Sequence, residues 1–306
     1  MGSILIPAMA KQGYDRGFAS ALSAISGSMG TIIPPSITFI IYGMITGESI
    51  GDLFLAGIVP GIVFGLILCI LVFVVSKKND WKSEDAKASL NEIGKAFFDA
   101  LWGLLSPVIV LGGIYTGLLT PTEAAAVAVI YSFIVGAFIY KELTLKTFWE
   151  ALFSTGKTTG IILLIIMNAG IFSWVLTQQG IAPRLTEMAL ELTTNPYIML
   201  LIINFVFLCA GCVMDNTSAL FILVPIILPI AQALDINLIH LGVVLVLNLS
   251  IGQVTPPVGP NLYVAADIGK VTFENICRRI LPMLGVSLIA LLLVTFIPWL
   301  STCLIK

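Results

Sequence analysis

Ser26-Gly-Ser-Met-Gly-Thr-Ile-Ile-Pro-Pro-Ser36 and Asn248-Leu-Ser-Ile-Gly-Gln-Val-Thr-Pro-Pro-Val-Gly-Pro260 each interrupt an otherwise apolar run. Two consecutive prolines (Pro34-Pro35 and Pro256-Pro257) remove two N–H donors and disfavour helix in the residue before them, so each run is expected to unwind for a few residues. At membrane depth, unwound backbone is tolerated only where it is buried in protein or lines a cavity. The freed carbonyls, with the hydroxyls of Ser28, Thr31, Ser36, Ser250 and Thr255, then form a hard oxygen cage suited to Na⁺. The N-termini of the following half-helices direct a positive dipole toward an anionic substrate. The bland alternative is a simple proline kink. The doubled prolines, the flanking Gly30, Gly252 and Gly259, and the second copy of the pattern favour a binding site.

The surrounding sequence belongs in a bilayer. Of 306 residues, 58% are hydrophobic and only 10% charged, and mean hydropathy is +1.06, whereas soluble domains carry roughly a quarter charged residues. A soluble enzyme is excluded. Leu53–Val75, Leu101–Leu119, Ala124–Tyr140, Ile161–Leu176 and Leu284–Leu300 are apolar runs, and a helix crosses a bilayer in roughly 20 residues. They do not alternate as barrel strands would. The predicted class is an all-α polytopic membrane protein. No basic patch suggests nucleic acid, and no basic leader suggests a cleavable signal peptide.

The two breaks belong to a longer correspondence. At a constant separation of 222 residues, Pro7 matches Pro229, Ser28 matches Ser250, Gly30 matches Gly252 and Pro34-Pro35 match Pro256-Pro257. Gly47 likewise matches Gly269, and Pro60 matches Pro282. Eight positions of 54 are identical, and seven of these are Gly, Pro or Ser, which set backbone geometry rather than hydropathy. Basic residues then orient the chain, because short cytoplasmic loops favour Lys and Arg. Lys77, Lys78, Lys82, Lys87 and Lys95 lie inside, residues 119–122 outside, and Lys141, Lys146 and Lys157 inside. Gln178–Asn195 follows outside, and Lys270, Arg278 and Arg279 inside. On this assignment the first repeat starts inside near Lys11 and Arg16 and the second outside near Asp235, so their topology is opposite. Inverted repeats with broken helices are a secondary-transporter architecture. The organisation expected is a first repeat over 1–76, a cytoplasmic amphipathic segment over 77–98, connecting helices over 99–180 and a second repeat over 181–306.

A second element lies between the apolar runs Ile198–Leu208 and Ala219–Leu234, which are short for full crossings and suit a re-entrant hairpin. Its tip holds Gly211, Asp215, Asn216, Thr217 and Ser218. An acid at membrane depth marks a functional site by default, and the nearest partner in sequence is the 250–255 break. Asp215, Thr255, Gly211 and Gly252 are the expected Na⁺ ligands. A water-exposed loop is the alternative, and it puts Asp235 and Lys270 on unexpected sides. Thr120-Pro-Thr-Glu123 reads as a capping box with Pro at the first helical position, so Glu123 is structural. His240, the only histidine, is expected to pack or cap. Cys209 and Cys212 have CxxC spacing but no second pair and no nearby histidine, and are read as small packed hydrophobes.

The chain resembles the large membrane subunit, of the DctM or SiaM type, of tripartite ATP-independent periplasmic (TRAP) transporters. The resemblance lies in Gly2-Ser-Ile-Leu-Ile-Pro-Ala-Met9 with Gly13-Tyr-Asp15, Ile33-Pro-Pro-Ser-Ile37 and Thr120-Pro-Thr-Glu-Ala-Ala125. It extends to Met214-Asp215, Pro225-Ile-Ile-Leu-Pro229 and Gly252-Gln-Val-Thr-Pro-Pro-Val-Gly259. It implies a Na⁺-driven elevator-type importer of organic anions such as C4-dicarboxylates or sialic acid, in the bacterial inner membrane. The implied partners are a small membrane subunit (DctQ or SiaQ type) and a periplasmic substrate-binding protein (DctP or SiaP type). A stand-alone Na⁺/anion symporter of the same superfamily is the second transport reading. No cofactor is expected beyond Na⁺ as coupling ion. The repeat also sets an expectation about its own first copy: the counterpart of the 211–218 tip falls ahead of Met1, so the chain is expected to lack that first hairpin tip and arm.

Overall fold

The computed structural model describes residues 2–81 and 89–305, and among these no strand occurs. Lys82 and Lys87, two of the basic residues used to orient the chain, lie outside the described residues. The helices are α1 (Gly2–Lys11), α2 (Arg16–Ser28), α3 (Ile37–Thr46), α4 (Ile50–Lys78), α5 (Leu90–Tyr115), α6 (Pro121–Ile134) and α7 (Leu145–Gln178). There follow α8 (Ile181–Leu192), α9 (Pro196–Val213), α10 (Asn216–Ala233), α11 (Leu238–Gly252), α12 (Pro260–Gly269), α13 (Phe273–Phe296) and the short α14 (Trp299–Thr302). Among the described residues, seven helices are long and apolar enough to cross a membrane: α4, α5, α6 with the π-helical turn after it, α7, α9, α10 and α13. The protein is an all-α, multi-pass membrane protein.

The chain forms two compact units. One contains α5, α6 and α7 as far as Gly170. Within it α5 opens on a capping box, in which Ser89 Oγ accepts from Glu92 N and the Glu92 carboxylate accepts from Ser89 N at 2.7 Å. That cap starts the helix at Leu90, eleven residues before the apolar run beginning at Leu101. α6 opens on the box read from sequence: Glu123 Oε2 accepts from Thr120 N at 2.8 Å, and Pro121 takes the first helical position. Tyr131 and Tyr140 donate their hydroxyls to the carbonyls of Trp102 and Asp99, tying α6 and the turn after it to α5.

The other unit contains α1–α4 and α8–α14 and is centred on α11. Every residue of α11 from His240 to Gly252 is buried, as expected of a helix that is apolar on all sides. Both double-proline segments break their helices. α2 ends at Ser28, a 3₁₀ turn spans Met29–Thr31 and α3 begins at Ile37, while α11 ends at Gly252 and α12 begins at Pro260. Both Pro-Pro bonds are cis.

The 222-residue separation recurs in atomic detail. The N-caps Asp15 and Asn237 accept from Phe18 N and His240 N, each at 2.9 Å. Ser28 and Ser250 each donate to the carbonyl four residues back, Ala24 and Val246. After the helices end, Ile32 N bonds to Met29 O and Val254 N to Ile251 O. The packing is reciprocal as well: α3 lies on α10 and α12 on α1, α2 on α12 and α11 on α3, α2 on α13 and α11 on α4. Each of these contacting helix pairs thus has its counterpart pair in contact as well.

One difference concerns the hairpin arms. The sequence reading gives runs of 11 and 16 residues, but α9 and α10 each have 18 and are about 27 Å long at 1.5 Å per residue. Asn195 caps α9 ahead of Pro196, and nothing in Cys209-Ala-Gly-Cys-Val213 breaks the helix before Met214 turns extended (φ −128, ψ 162). Each arm is therefore long enough to cross the hydrocarbon layer, and the tip narrows to Met214 and Asp215.

Candidate functional site

The two breaks meet. Thr31 Oγ1, just ahead of the first Pro-Pro pair, is hydrogen-bonded to Ser250 Oγ, on the last turn before the second break. Ser250 spends its proton on Val246 O (2.6 Å), and Thr31 Oγ1 is also 2.8 Å from Ser28 O. Ser36 Oγ donates to Thr31 O and caps α3 through Phe39 N. A hydroxyl whose proton is engaged by a helix carbonyl keeps its oxygen lone pairs for another partner. Thr255 has the same arrangement, donating to Ile251 O at 2.7 Å. Ser28, Ser36, Ser250 and Thr255 thus present oxygens as acceptors, while Thr31 has one proton to share between Ser250 Oγ and Ser28 O.

Asn261 joins the breaks a second time. Its Nδ2 donates to Ser28 Oγ at 3.0 Å and to Gln253 Oε1 at 2.9 Å, and its backbone N–H reaches Gln253 O. A groove of about 280 Å³ opens beside it, lined by Gly2, Ile6, Ser23, Ala24, Gly27 and Ala265 among others. Neither Asn261 nor Gln253 was singled out by the sequence reading. The only signal available was an amide directly after the Pro-Pro-Val-Gly-Pro turn.

The hairpin tip closes on the second break. Gly211 and Gly252 touch backbone to backbone, such that a Cβ on Gly252 would lie 2.7 Å from Gly211 Cα. Gly259, at φ 54, donates its N–H to Cys212 O at 3.1 Å. A left-handed residue there turns the chain into α12 with no Cβ penalty. Asp215 is exposed and caps α10: its carboxylate accepts from Ser218 N at 3.1 Å and from Ser218 Oγ at 2.6 Å. Asn216 is buried, and its Oδ1 has no hydrogen-bond partner among the described residues. The structure therefore brings Gly211 to Gly252 and Thr31 to Ser250, and holds Ser28 to Ser250's neighbourhood through Asn261. Asp215, Thr217 and Ser218 stand at the start of α10, where the hydrogen bonds of Asp215 stay within its own turn.

Other residues considered in the sequence have structural surroundings. His240 is buried, with Nδ1 3.2 Å from Ser301 Oγ and Nε2 3.3 Å from Thr295 O. Cys209 and Cys212 are free thiols on successive turns of α9.

Comparison with known proteins gives these features a context. The family model described as "Tripartite ATP-independent periplasmic transporter, DctM component" matches residues 1–300. The chain is 41% identical to the C4-dicarboxylate TRAP transporter large permease protein DctM of Pseudomonas aeruginosa, covering 99% of this chain and 71% of the relative. It is 38% identical to the sialic acid TRAP transporter large permease protein SiaM of Vibrio cholerae, covering 97% and 70%. Identity is 40% to the isethionate TRAP transporter permease protein DctMQ of Oleidesulfovibrio alaskensis, covering 97% of this chain and 47% of that one. These relatives are transporter permeases, not enzymes. A match over nearly the whole chain, carried by a protein whose two broken helices meet in its interior, makes this chain a member of the DctM family of TRAP transporters.

Proposed function

We propose that the chain serves as the large permease subunit of a Na⁺-coupled secondary importer of organic anions in the bacterial inner membrane. It works there with a small membrane subunit and a periplasmic substrate-binding protein. The observation that carries the reading is the meeting of the two breaks, Thr31 against Ser250, beside the contact of Gly211 with Gly252. Hydroxyl oxygens with engaged protons, unwound carbonyls and the free Asn216 Oδ1 together supply oxygen ligands for Na⁺, with Asp215 as the only formal negative charge at the tip. An anionic substrate is favoured by the α3 and α12 N-termini that follow the breaks. The relatives named for C4-dicarboxylate, sialic acid and isethionate are all named for anions. The reciprocal packing of the copies supports inverted topology and movement of the breaks as one body, the basis of an elevator.

The test is uptake into proteoliposomes holding the subunit with its small partner, the binding protein supplied outside with a panel of organic acids. Uptake is expected to require an inward Na⁺ gradient, and Asp215→Asn to raise the Na⁺ concentration for half-maximal rate. Equal uptake with K⁺ in place of Na⁺ sinks the ion assignment.

A further inference from the structure

About three turns of α9 before the hairpin tip lies a buried polar cluster outside the ion site. Asn248 of α11 is wholly buried, and its Nδ2 donates to both Asn204 O and Asn204 Oδ1, each at 2.8 Å. Asn204 Nδ2 donates in turn to Thr295 Oγ1 of α13 at 2.9 Å. The two donor bonds fix which way the Asn248 amide faces, and they leave its Oδ1 buried with no partner among the described residues. A buried carbonyl without a donor costs about 1–3 kcal/mol, whereas an apolar pair of similar shape can be neutral. Such an unsatisfied buried group in a native structure calls for an explanation beyond packing.

We propose that Asn248, with Asn204, is a positioning residue of the ion site: it clamps the first hairpin arm to the broken helix and so sets the spacing between tip and break. The clamp lies four residues before Gly252 on α11 and seven before Gly211 on α9, on the same helix–helix contact. Gly211 against Gly252 and Gly259 N–H on Cys212 O complete the tie at the tip. α9, α11 and the start of α12 therefore move as one body. α10 is tied differently: its tip-proximal bonds are those of its own cap, and Pro225 and Pro229 remove two N–H donors from its interior. The inference rests on the ion site proposed above.

The experiment measures Na⁺ dependence of uptake and thermal unfolding in parallel, for the reconstituted subunit with its partners. Asn248→Ala removes both clamp bonds and is expected to raise the half-saturating Na⁺ concentration about tenfold, the equivalent of a net hydrogen bond or two. Half-saturation by substrate at saturating Na⁺ stays within about twofold on the same scale. Asn204→Ala keeps the Asn248 bond to the Asn204 carbonyl and gives a smaller shift in the same direction. Ser301→Ala, which removes a buried hydroxyl beside His240, lowers the unfolding temperature without moving the Na⁺ curve. The proposal is overturned if Asn248→Ala unfolds earlier with an unchanged Na⁺ curve, or if Ser301→Ala shifts that curve as much. A wild-type subunit indifferent to Na⁺ removes the ion site and the clamp's role together, which separates that failure from failure of the clamp alone.

Discussion

Replacing Gly252 by alanine tests the contact on which the candidate site is built. A Cβ there would lie 2.7 Å from Gly211 Cα, 2.8 Å from Gly211 C and 3.2 Å from Cys212 N. All three are backbone atoms of α9, so no rotamer change relieves them. Reaching an ordinary carbon–carbon separation of about 3.5 Å requires the helices to part by roughly 0.8 Å. Overpacking of this kind costs about 1–3 kcal/mol. The same displacement stretches the two 2.8 Å bonds from Asn248 to Asn204 to about 3.6 Å, beyond hydrogen-bond range. Each is worth about 1 kcal/mol. The expected loss is therefore on the order of 3 kcal/mol, read from denaturant unfolding of the detergent-solubilised protein by circular dichroism. Gly27→Ala is the control, because a Cβ at Gly27 in α2 meets nothing within 4 Å and alanine favours helix by up to about 1 kcal/mol. A Gly252→Ala protein as stable as wild type, or a Gly27→Ala protein equally damaged, refutes the close-contact reasoning.

Three further substitutions probe the frame around the site. Tyr42, buried on α3, donates its hydroxyl to Leu238 O at 2.6 Å, where α11 begins; Tyr42→Phe is expected to cost about 1 kcal/mol in the same unfolding measurement, and an unchanged midpoint contradicts that bond. Asp15 both caps α2 through Phe18 N and pairs with Arg279 Nε at 3.1 Å. Asp15→Ala is expected to lose about 1 kcal/mol for the cap, and Arg279→Ala well under 1 kcal/mol because the pair is partly exposed; equal losses would place the value in the ion pair.

The residues that set backbone conformation were the ones legible in sequence. Doubled prolines leave few conformations for the preceding residue, and both helices break where Pro34-Pro35 and Pro256-Pro257 require. Thr120-Pro-Thr-Glu123 is equally local, since all its hydrogen-bonding groups lie within four residues. Hairpin length was harder to read, because Gly211 interrupts the apolar run Cys209-Ala-Gly-Cys-Val213 without breaking the helix, and packing on α11 carries the helix through it. Partners distant in sequence were not legible at all. Nothing around Asn248 points to Asn204, 44 residues earlier, and nothing in Asn261 points to Ser28, 233 residues away. An isolated amide in an apolar run reveals its need for a partner but not which one satisfies it.

The reciprocal packing of α3 on α10 and α12 on α1 also sets a schedule for the newly made chain. Thr31 finds Ser250 across 219 residues, so the first break stays incomplete until α11 has been synthesised and inserted. At 5–20 residues per second that delay is roughly 10–45 s. Throughout it, the polar stretch from Ser26 to Ser36 sits in or beside the bilayer without its partners, held by local bonds alone. For a cell making this protein, the costly moment falls before completion, when the first break still lacks the partner that lies 219 residues further on.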